Sequence, residues 1–387
     1  MLGKHEMRGD GSTPLRGGHC MKVILHIGLS KTGTTALQTS FFNARRSLLQ
    51  QGVCYPDGGQ GRENHRYLCP LFMAVADLPP TMARRYHADP EAARTDAEAM
   101  WAGIRRTVEA ADPALLVLSS EYFFRSPTKT DYAAFRRRLE ELSQDIEVVM
   151  YVREPASRFA SRMQQGAKRG RPIRSIDGDQ LRRELPLVEQ GFGRKVDVHL
   201  FERAALVDGD IVSDFVSRYV APVVGPVILR SSDANESISA EAATLLIDAD
   251  HGPEVRAARD AMGFLRFRDA VQRADAEVPG RKAARLRPEV AQAVRRASTD
   301  ALWLRDRYGV TFSDLDYGLI DGVAPDYDTA RMRAAELLVV DPDRLSAMKA
   351  AVGSGARRKG AQGFARRIMW LFGSAGQPVR AAAGRRS

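Results

Sequence analysis

The residues best suited to chemistry lie in one short stretch, His26–Thr35, between a predicted strand and a predicted helix. In a strand–loop–helix turn the first backbone N–H groups of the helix are unpaired, and with the helix dipole they favour an anion. Gly28 and Gly33 would let the backbone approach that anion closely, and Lys31 would add a full positive charge. Further donors are the hydroxyls of Thr34 and Thr35. The stretch therefore predicts a site for a phosphate or sulfate ester.

The position of the lysine separates this loop from the ATP-binding P-loop. That motif is Gly-x-x-x-x-Gly-Lys-Ser/Thr, with the lysine directly after the second glycine. Here Lys31 precedes Gly33 by two positions, and no hydroxyl stands clearly in register to bind magnesium. A nucleotide kinase or ATPase remains as an alternative function, and binding of Mg-ATP would favour it.

The loop resembles the 5′-phosphosulfate loop of sulfotransferases that use 3′-phosphoadenylyl sulfate (PAPS). That family commonly has Lys-Ser/Thr-Gly-Thr-Thr after the first strand, and here Lys31-Thr32-Gly33-Thr34-Thr35 stands in that place. The continuation Ala36-Leu37-Gln38 is similar to that of bacterial members. The resemblance implies PAPS as co-substrate, 3′-phosphoadenosine 5′-phosphate (PAP) as product and no metal. It also implies nucleotide contacts from Gly28, Lys31, Thr32, Gly33, Thr34 and Thr35.

A second motif of the family is an arginine after a later strand, followed eight positions on by a serine in the next helix. Arg153 ends the apolar run Ile146–Val152, and Ser161 lies eight residues later. The surrounding Tyr151–Phe159 resembles the strand-to-helix turn of glycan sulfotransferases. A guanidinium at the strand end and a hydroxyl two helical turns on can reach the same phosphate. The resemblance therefore assigns both residues to the 3′-phosphate.

Sulfuryl transfer to a hydroxyl needs a base for the hydroxyl proton and positive charge on the departing phosphate. Lys31 fits the second role. Glu121 follows the apolar run Leu115–Leu118, at the strand end where sites form in open parallel sheets. Cytosolic members of the family have a catalytic histidine on the corresponding strand, and several glycan and tyrosyl-protein members use glutamate. His65 is the rival base, because its ordinary pKa of about 6.5 suits neutral pH.

These groups require a scaffold of alternating strands and helices, and such a pattern runs along the chain. Apolar runs predict strands at Lys22–Ile27, Val53–Tyr55, Leu115–Leu118, Ile146–Val152 and Val196–Phe201. Strands alternating with helices predict a three-layer α/β/α fold around a central parallel sheet, as in the P-loop-like sulfotransferase fold. The domain would cover 21–350, with an α/β core over 21–235 and a mainly helical cap over 236–350.

The net charge of +10 is concentrated at the carboxyl end. Residues 351–387 contain eight Lys and Arg residues and no acid, which predicts a mobile, basic Gly/Ala/Arg-rich tail. Residues 21–350 carry a net charge of only +1, which argues against a nucleic-acid-binding face. A basic amphipathic helix in the tail can lie on an anionic membrane. Packing of this helix against the domain is an equally supported alternative. Residues 1–20 predict a disordered extension.

Cysteine use and hydropathy indicate the location. The three cysteines cannot form a disulfide framework, and no run approaches the roughly 20 apolar residues of a membrane span. We therefore expect a cytoplasmic enzyme, free or peripheral at the inner membrane surface through its tail. Its acceptor would offer a hydroxyl, or an amine as the less favoured group, on a glycan, a lipid or a small molecule. A non-catalytic nucleotide-binding protein is a further alternative, and PAP binding without turnover would support it. No pattern predicts an oligomeric state.

Overall fold

The computed structural model describes residues 21–170, 178–231, 237–248, 259–260, 263–323 and 332–353. The chain divides into two compact units. The first contains the residues up to 155 together with 177–236 and 296–322, and the second contains 156–176, 237–295 and the residues from 323 onward. The predicted extension over 1–20 and nearly all of the predicted tail over 351–387 lie outside the described residues.

The first unit contains a parallel sheet, for which the described residues supply five strands in the order β2-β3-β1-β4-β5. The strands are β1 (Lys22–His26), β2 (Val53–Cys54), β3 (Leu115–Ser119), β4 (Ile146–Val152) and β5 (Asp197–Leu200). All four pairings are parallel. The three central strands are rich in Val, Ile and Leu and are buried on both faces, as a covered parallel sheet requires. The predicted central parallel sheet is confirmed.

Helices connect the strands. In the first unit they are α1 (Thr34–Gln50), α2 (Pro80–Arg85), α3 (Pro90–Ala111), α4 (Tyr132–Glu140), α6 (Gln180–Phe192), α7 (Ile211–Phe215) and α8 (Ala221–Val224). Helix α5 (Pro155–Ala167) belongs to the second unit except for its first residue. A π-helical turn, Val216–Val220, joins α7 to α8. Short 3-10 turns lie at Arg66–Leu71, Val75–Asp77, Glu121–Phe124, Pro127–Lys129, Val207–Gly209 and Tyr317–Leu319.

These helices cover both faces of the sheet. On one face α1 and α7 pack against strand residues that include Ile24, Val117 and Val149. On the other face α3, α4 and α6 pack against the alternate residues, among them Leu25 and Val148. Successive side chains of a strand point to opposite faces, which is why one apolar run serves both layers. The predicted three-layer α/β/α arrangement is confirmed.

Residues 296–322 depart from the predicted division of the chain, because they return to the first unit. Helix α11 (Thr299–Tyr308) buries Leu304 in the same core as the sheet. The Asp300 carboxylate accepts hydrogen bonds of 2.9 and 2.8 Å from two backbone N–H groups in the first turn of α6. A negative charge is stabilised at a helix N-terminus. The helical segment predicted over 236–350 is therefore interrupted by a piece of the α/β unit.

The second unit is helical and has its own core. Its further helices are α9 (Ala240–Ile247), α10 (Phe264–Glu277), α12 (Ala334–Leu337) and residues 342–353, while Pro288–Ala297 is a helix that runs to the boundary. Arg344 is 5% exposed and pairs with Glu241 at 2.8 Å and Asp275 at 3.0 Å. A buried guanidinium requires such paired carboxylates. No helix in the described parts of the chain has both the length and the apolar character needed to cross a membrane.

Candidate active site

Three adjacent strands carry the predicted site residues to one edge of the sheet. β1 lies between β3 and β4, and all three run parallel, so their carboxyl ends share an edge. The loop over 27–33 follows β1, Glu121 follows β3 after one residue, and Arg153 follows β4. Because neighbouring strands lie about 4.8 Å apart, Glu121 and Arg153 stand on opposite sides of the loop that carries Lys31. The structure brings these three predicted residues together.

The loop between β1 and α1 is tightly turned. Gly28, Lys31 and Gly33 all have positive φ, at 56°, 78° and 74°. Gly33 occupies the N-cap position of α1, where no described side chain caps the helix, and the first turn contains no acid. The first backbone N–H groups of α1 are therefore left for an anion.

Close packing, as well as the backbone angle, explains why glycine occupies positions 28 and 33. A Cβ atom at Gly28 would lie 3.1 Å from Glu121 Cα and 3.0 Å from Thr34 Cγ2. At Gly33 it would lie 2.7 Å from the Phe201 ring. At Gly28 the loop is thus packed directly against the turn that carries Glu121, whereas at Gly33 it is packed against Phe201.

The three loop threonines differ in what they offer a ligand. The hydroxyl of Thr32 is buried and donates to the Leu29 carbonyl at 2.6 Å, so it closes the loop. Thr34 is 6% exposed, and Thr35 is exposed at the start of α1. The Thr32 hydroxyl is thus used within the loop, and the nucleotide contact predicted for Thr32 stays a prediction.

A chain of polar side chains holds the carboxylate of Glu121. Gln38 donates from Nε2 to Glu121 Oε2 at 3.4 Å and to Ser119 Oγ at 3.1 Å. Ser119 Oγ in turn lies 2.8 Å from His26 Nδ1, inside the sheet. A general base must be held within reach of the proton that it accepts, and this chain fixes one carboxylate oxygen. Gln38 had no predicted role, although its place one helical turn after Thr34 was the available signal.

His65, the predicted rival base, is fully buried and uses both ring nitrogens. Nδ1 accepts from the Ser119 N–H at 2.9 Å, so the ring proton is on Nε2, which donates to the Pro56 carbonyl at 3.0 Å. Burial lowers the pKa of His65 to about 4. A base needs a free nitrogen that faces the acceptor, and neither nitrogen meets that condition here. The geometry gives His65 a structural role, joining the end of β3 to the segment after β2.

The two buried histidines should make stability depend on pH. Burial lowers the folded-state pKa of His26 and of His65 from 6.5 to about 4, so between these values the unfolded chain binds more protons. Their stabilising contribution is present above pH 6.5 and is lost as the pH falls towards 4. We expect each to lower the free energy of unfolding by roughly 2 kcal/mol between pH 6.5 and pH 5, measured by urea unfolding.

His65→Gln should remove its share of this pH dependence, whereas His87→Gln at an exposed position should leave it unchanged. The same pH slope in His65→Gln and in the wild type would contradict the assignment.

Arg153 lies beside the loop over 27–33. Its Nη1 donates to the Lys31 carbonyl at 3.3 Å, and its guanidinium carbon lies 5.7 Å from the centre of the Phe201 ring. Burial lowers the pKa of Arg153, and the Glu154 carboxylate opposes this shift. Ser161 lies in α5, in the second unit, so its predicted pairing with Arg153 stays a prediction.

A cavity of about 610 Å³ lies beside the edge strand β2. Helices α1 and α3 flank it, and its walls include Arg45, Leu49, Tyr55, Tyr67, Met100 and Ile104. None of the residues predicted to bind the nucleotide lines it. The cavity therefore lies on the β2 side of the sheet, away from Arg153.

Comparisons with known proteins do not bear on this site. No protein-family model matches the chain, and no curated protein matches it. Within the described ranges, no group of three or more His, Cys, Asp and Glu side chains could hold a metal ion. The chemistry of the site must be argued from its residue types, spacing and geometry.

Proposed function

We propose that this chain is a PAPS-dependent sulfotransferase that moves a sulfuryl group from PAPS to a hydroxyl of an acceptor. The observation that carries the proposal is that the anion-binding loop, Glu121 and Arg153 follow three adjacent parallel strands. Open α/β sheets bind ligands outside the carboxyl ends of their strands, where the strand order reverses. β1 stands at that point, since the chain continues to β2 and β3 on one side and to β4 and β5 on the other.

The nucleotide would extend from the loop towards β4. Lys31 and the first N–H groups of α1 would hold the 5′-phosphosulfate, since both favour an anion. Arg153 would hold the 3′-phosphate, with Ser161 as its predicted partner. Arg153 is well suited because its guanidinium is partly buried and already anchored on the Lys31 carbonyl.

In the proposed reaction Glu121 accepts the proton of the acceptor hydroxyl. The acceptor oxygen bonds to sulfur while the bond between sulfur and the bridging phosphate oxygen breaks. Negative charge grows on the departing 5′-phosphate, where Lys31 and the α1 N–H groups stabilise it. The products are a sulfate ester and PAP, and the proton stays on the carboxyl group of Glu121.

The proposal includes a cytoplasmic location and an acceptor that is a glycan, a lipid or a small molecule. Membrane contact through the basic tail concerns residues outside those described. Transfer from labelled PAPS into pooled acceptor extracts, followed by mass identification of the labelled product, would identify the acceptor.

PAP should raise the melting temperature of the protein in the absence of magnesium. A ligand that binds only the folded state stabilises it, by about 2.7 kcal/mol at a hundred times its Kd. AMP lacks the 3′-phosphate and should raise the melting temperature much less. A thermal-shift titration with both nucleotides measures the difference.

Arg153→Gln should reduce the advantage of PAP over AMP, whereas Arg94→Gln, in an exposed ion pair on α3, should not. Equal shifts for the two nucleotides in the wild type would remove Arg153 and Ser161 from their assigned role. Stabilisation by Mg-ATP in place of PAP would favour the kinase or ATPase alternative.

A further inference from the structure

Two arginines at the Tyr67 ring have no acidic partner in the described part of the chain. The guanidinium carbon of Arg66 lies 5.4 Å from the ring centre of Tyr67 and 5.8 Å from that of Tyr122, and that of Arg62 lies 5.7 Å from the Tyr67 ring. In both arginines Nε is buried and makes no hydrogen bond to a described residue. Stacking on aromatic rings holds a guanidinium in place but leaves its N–H donors unsatisfied.

Arg85, a third arginine at the Tyr67 ring, differs from these two because it has polar partners. It also stacks on the Tyr67 ring, at 5.4 Å, yet it lies 3.8 Å from the Asp96 carboxylate and donates to Gln60. Buried polar groups are normally hydrogen-bonded, and leaving them unpaired costs free energy. Arg62 and Arg66 are therefore placed to receive an anion that the described residues do not supply.

The backbone places Arg66 on the side of the candidate base that faces away from the loop. The His65 N–H donates to the Ser119 carbonyl at 3.1 Å, which sets the segment around Arg66 alongside the end of β3. On the other side of that strand end, the Ser120 N–H donates to the His26 carbonyl at the end of β1. Across the edge the order is Arg153, the phosphate loop, Glu121 and then Arg66. With the nucleotide in its proposed place on the opposite side, an acceptor whose hydroxyl meets Glu121 would extend towards Arg66.

We propose that Arg62 and Arg66 form an anion-binding subsite, so that the acceptor carries a carboxylate or sulfate group besides the hydroxyl that is modified. That the bound molecule is the sulfuryl acceptor rests on the proposed function, but the subsite itself can be tested by binding alone. A planar guanidinium suits the paired oxygens of a carboxylate or a sulfate. Room for the rest of such a molecule lies close by, since Tyr67 also lines the cavity of about 610 Å³.

Binding of matched neutral and anionic probes tests the subsite. One set is methyl β-D-glucoside, methyl β-D-glucuronide and methyl β-D-glucoside 6-sulfate. The other is 4-hydroxyphenylacetamide and 4-hydroxyphenylacetate. We expect, in at least one set, that an anionic member binds the wild type roughly tenfold or more tightly than the neutral member, as a charge-assisted contact predicts. Titration calorimetry with and without saturating PAP measures this, and the first set distinguishes carboxylate from sulfate.

The double variant Arg62→Gln/Arg66→Gln should lose this preference while its affinity for PAP and its melting temperature stay close to those of the wild type. Arg94→Gln/Arg105→Gln removes the same charge from exposed positions on α3 and should keep the preference. Equal binding of neutral and anionic members in both sets, or a preference that survives in Arg62→Gln/Arg66→Gln, would overturn the inference. If PAP fails to bind while the anionic preference holds, the sulfotransferase proposal fails and the anion subsite stands.

Discussion

Replacing Glu121 by glutamine is expected to lower the rate of sulfuryl transfer by roughly 10²–10⁴-fold, the usual contribution of one general base. Glutamine keeps the size of the side chain and can still contact Gln38, which lies 3.4 Å from the carboxylate. The variant lacks the carboxylate that would take up the proton of the substrate hydroxyl. PAP affinity should change little, because Glu121 lies on the far side of the loop from Arg153.

The rate is measured as transfer of labelled sulfate from PAPS into the pooled acceptor extract. Glu63→Gln is the matched control, since it removes a carboxylate from the segment just before His65. Near-normal transfer by Glu121→Gln would show that Glu121 is a structural carboxylate. If His65→Asn then abolished transfer without unfolding the protein, His65 would be the base after all.

Lys31→Ala is expected to impair both nucleotide binding and transfer. The lysine would touch the phosphosulfate in the bound state and the departing phosphate in the transition state, so its loss lowers the stabilisation of both. A charge-assisted contact is worth about 1.5–3 kcal/mol, so PAP should bind roughly 10- to 100-fold more weakly. Transfer should fall by more than the affinity, because the charge on the phosphate is largest in the transition state.

Calorimetric titration with PAP and the transfer assay measure the two effects separately. Lys31 has a φ of 78°, which favours glycine, so Lys31→Gly removes the charge while relieving the backbone. It should bind PAP as weakly as Lys31→Ala while melting at a higher temperature. Lys22→Ala, at the other end of β1 in an ion pair with Glu147, should bind PAP normally. Normal PAP affinity in Lys31→Ala would remove the lysine from the site.

Local features explain what was predictable in the fold. All five strands were predicted because each is a short apolar run between polar or turn-forming residues, and β4 was predicted with its observed bounds. The loop between β1 and α1 was predictable because its residues are contiguous and its pattern lies within ten positions. The α/β class followed from the alternation of strands and helices alone.

Contacts between distant parts of the chain were not predictable in this way. The return of Thr299–Tyr308 to the first unit depends on the Asp300 carboxylate meeting the start of α6, more than a hundred residues earlier in the chain. In the sequence, Thr299–Tyr308 looks like one more helix in a helical region.

The amino-acid sequence by itself determined the strands, the Gly/Thr-rich loop between β1 and α1 and the candidates Lys31, Glu121 and Arg153, because periodicity and local spacing are sufficient for each. Only the tertiary structure showed how the surroundings of Glu121 and of His65 differ. It places the His65 ring between Ser119 and Pro56, where both ring nitrogens are hydrogen-bonded to the backbone. It also sets Gln38 against the Glu121 carboxylate. A hydrogen-bond partner depends on which distant atoms the fold brings within about 3 Å, and no pattern along one chain contains that information.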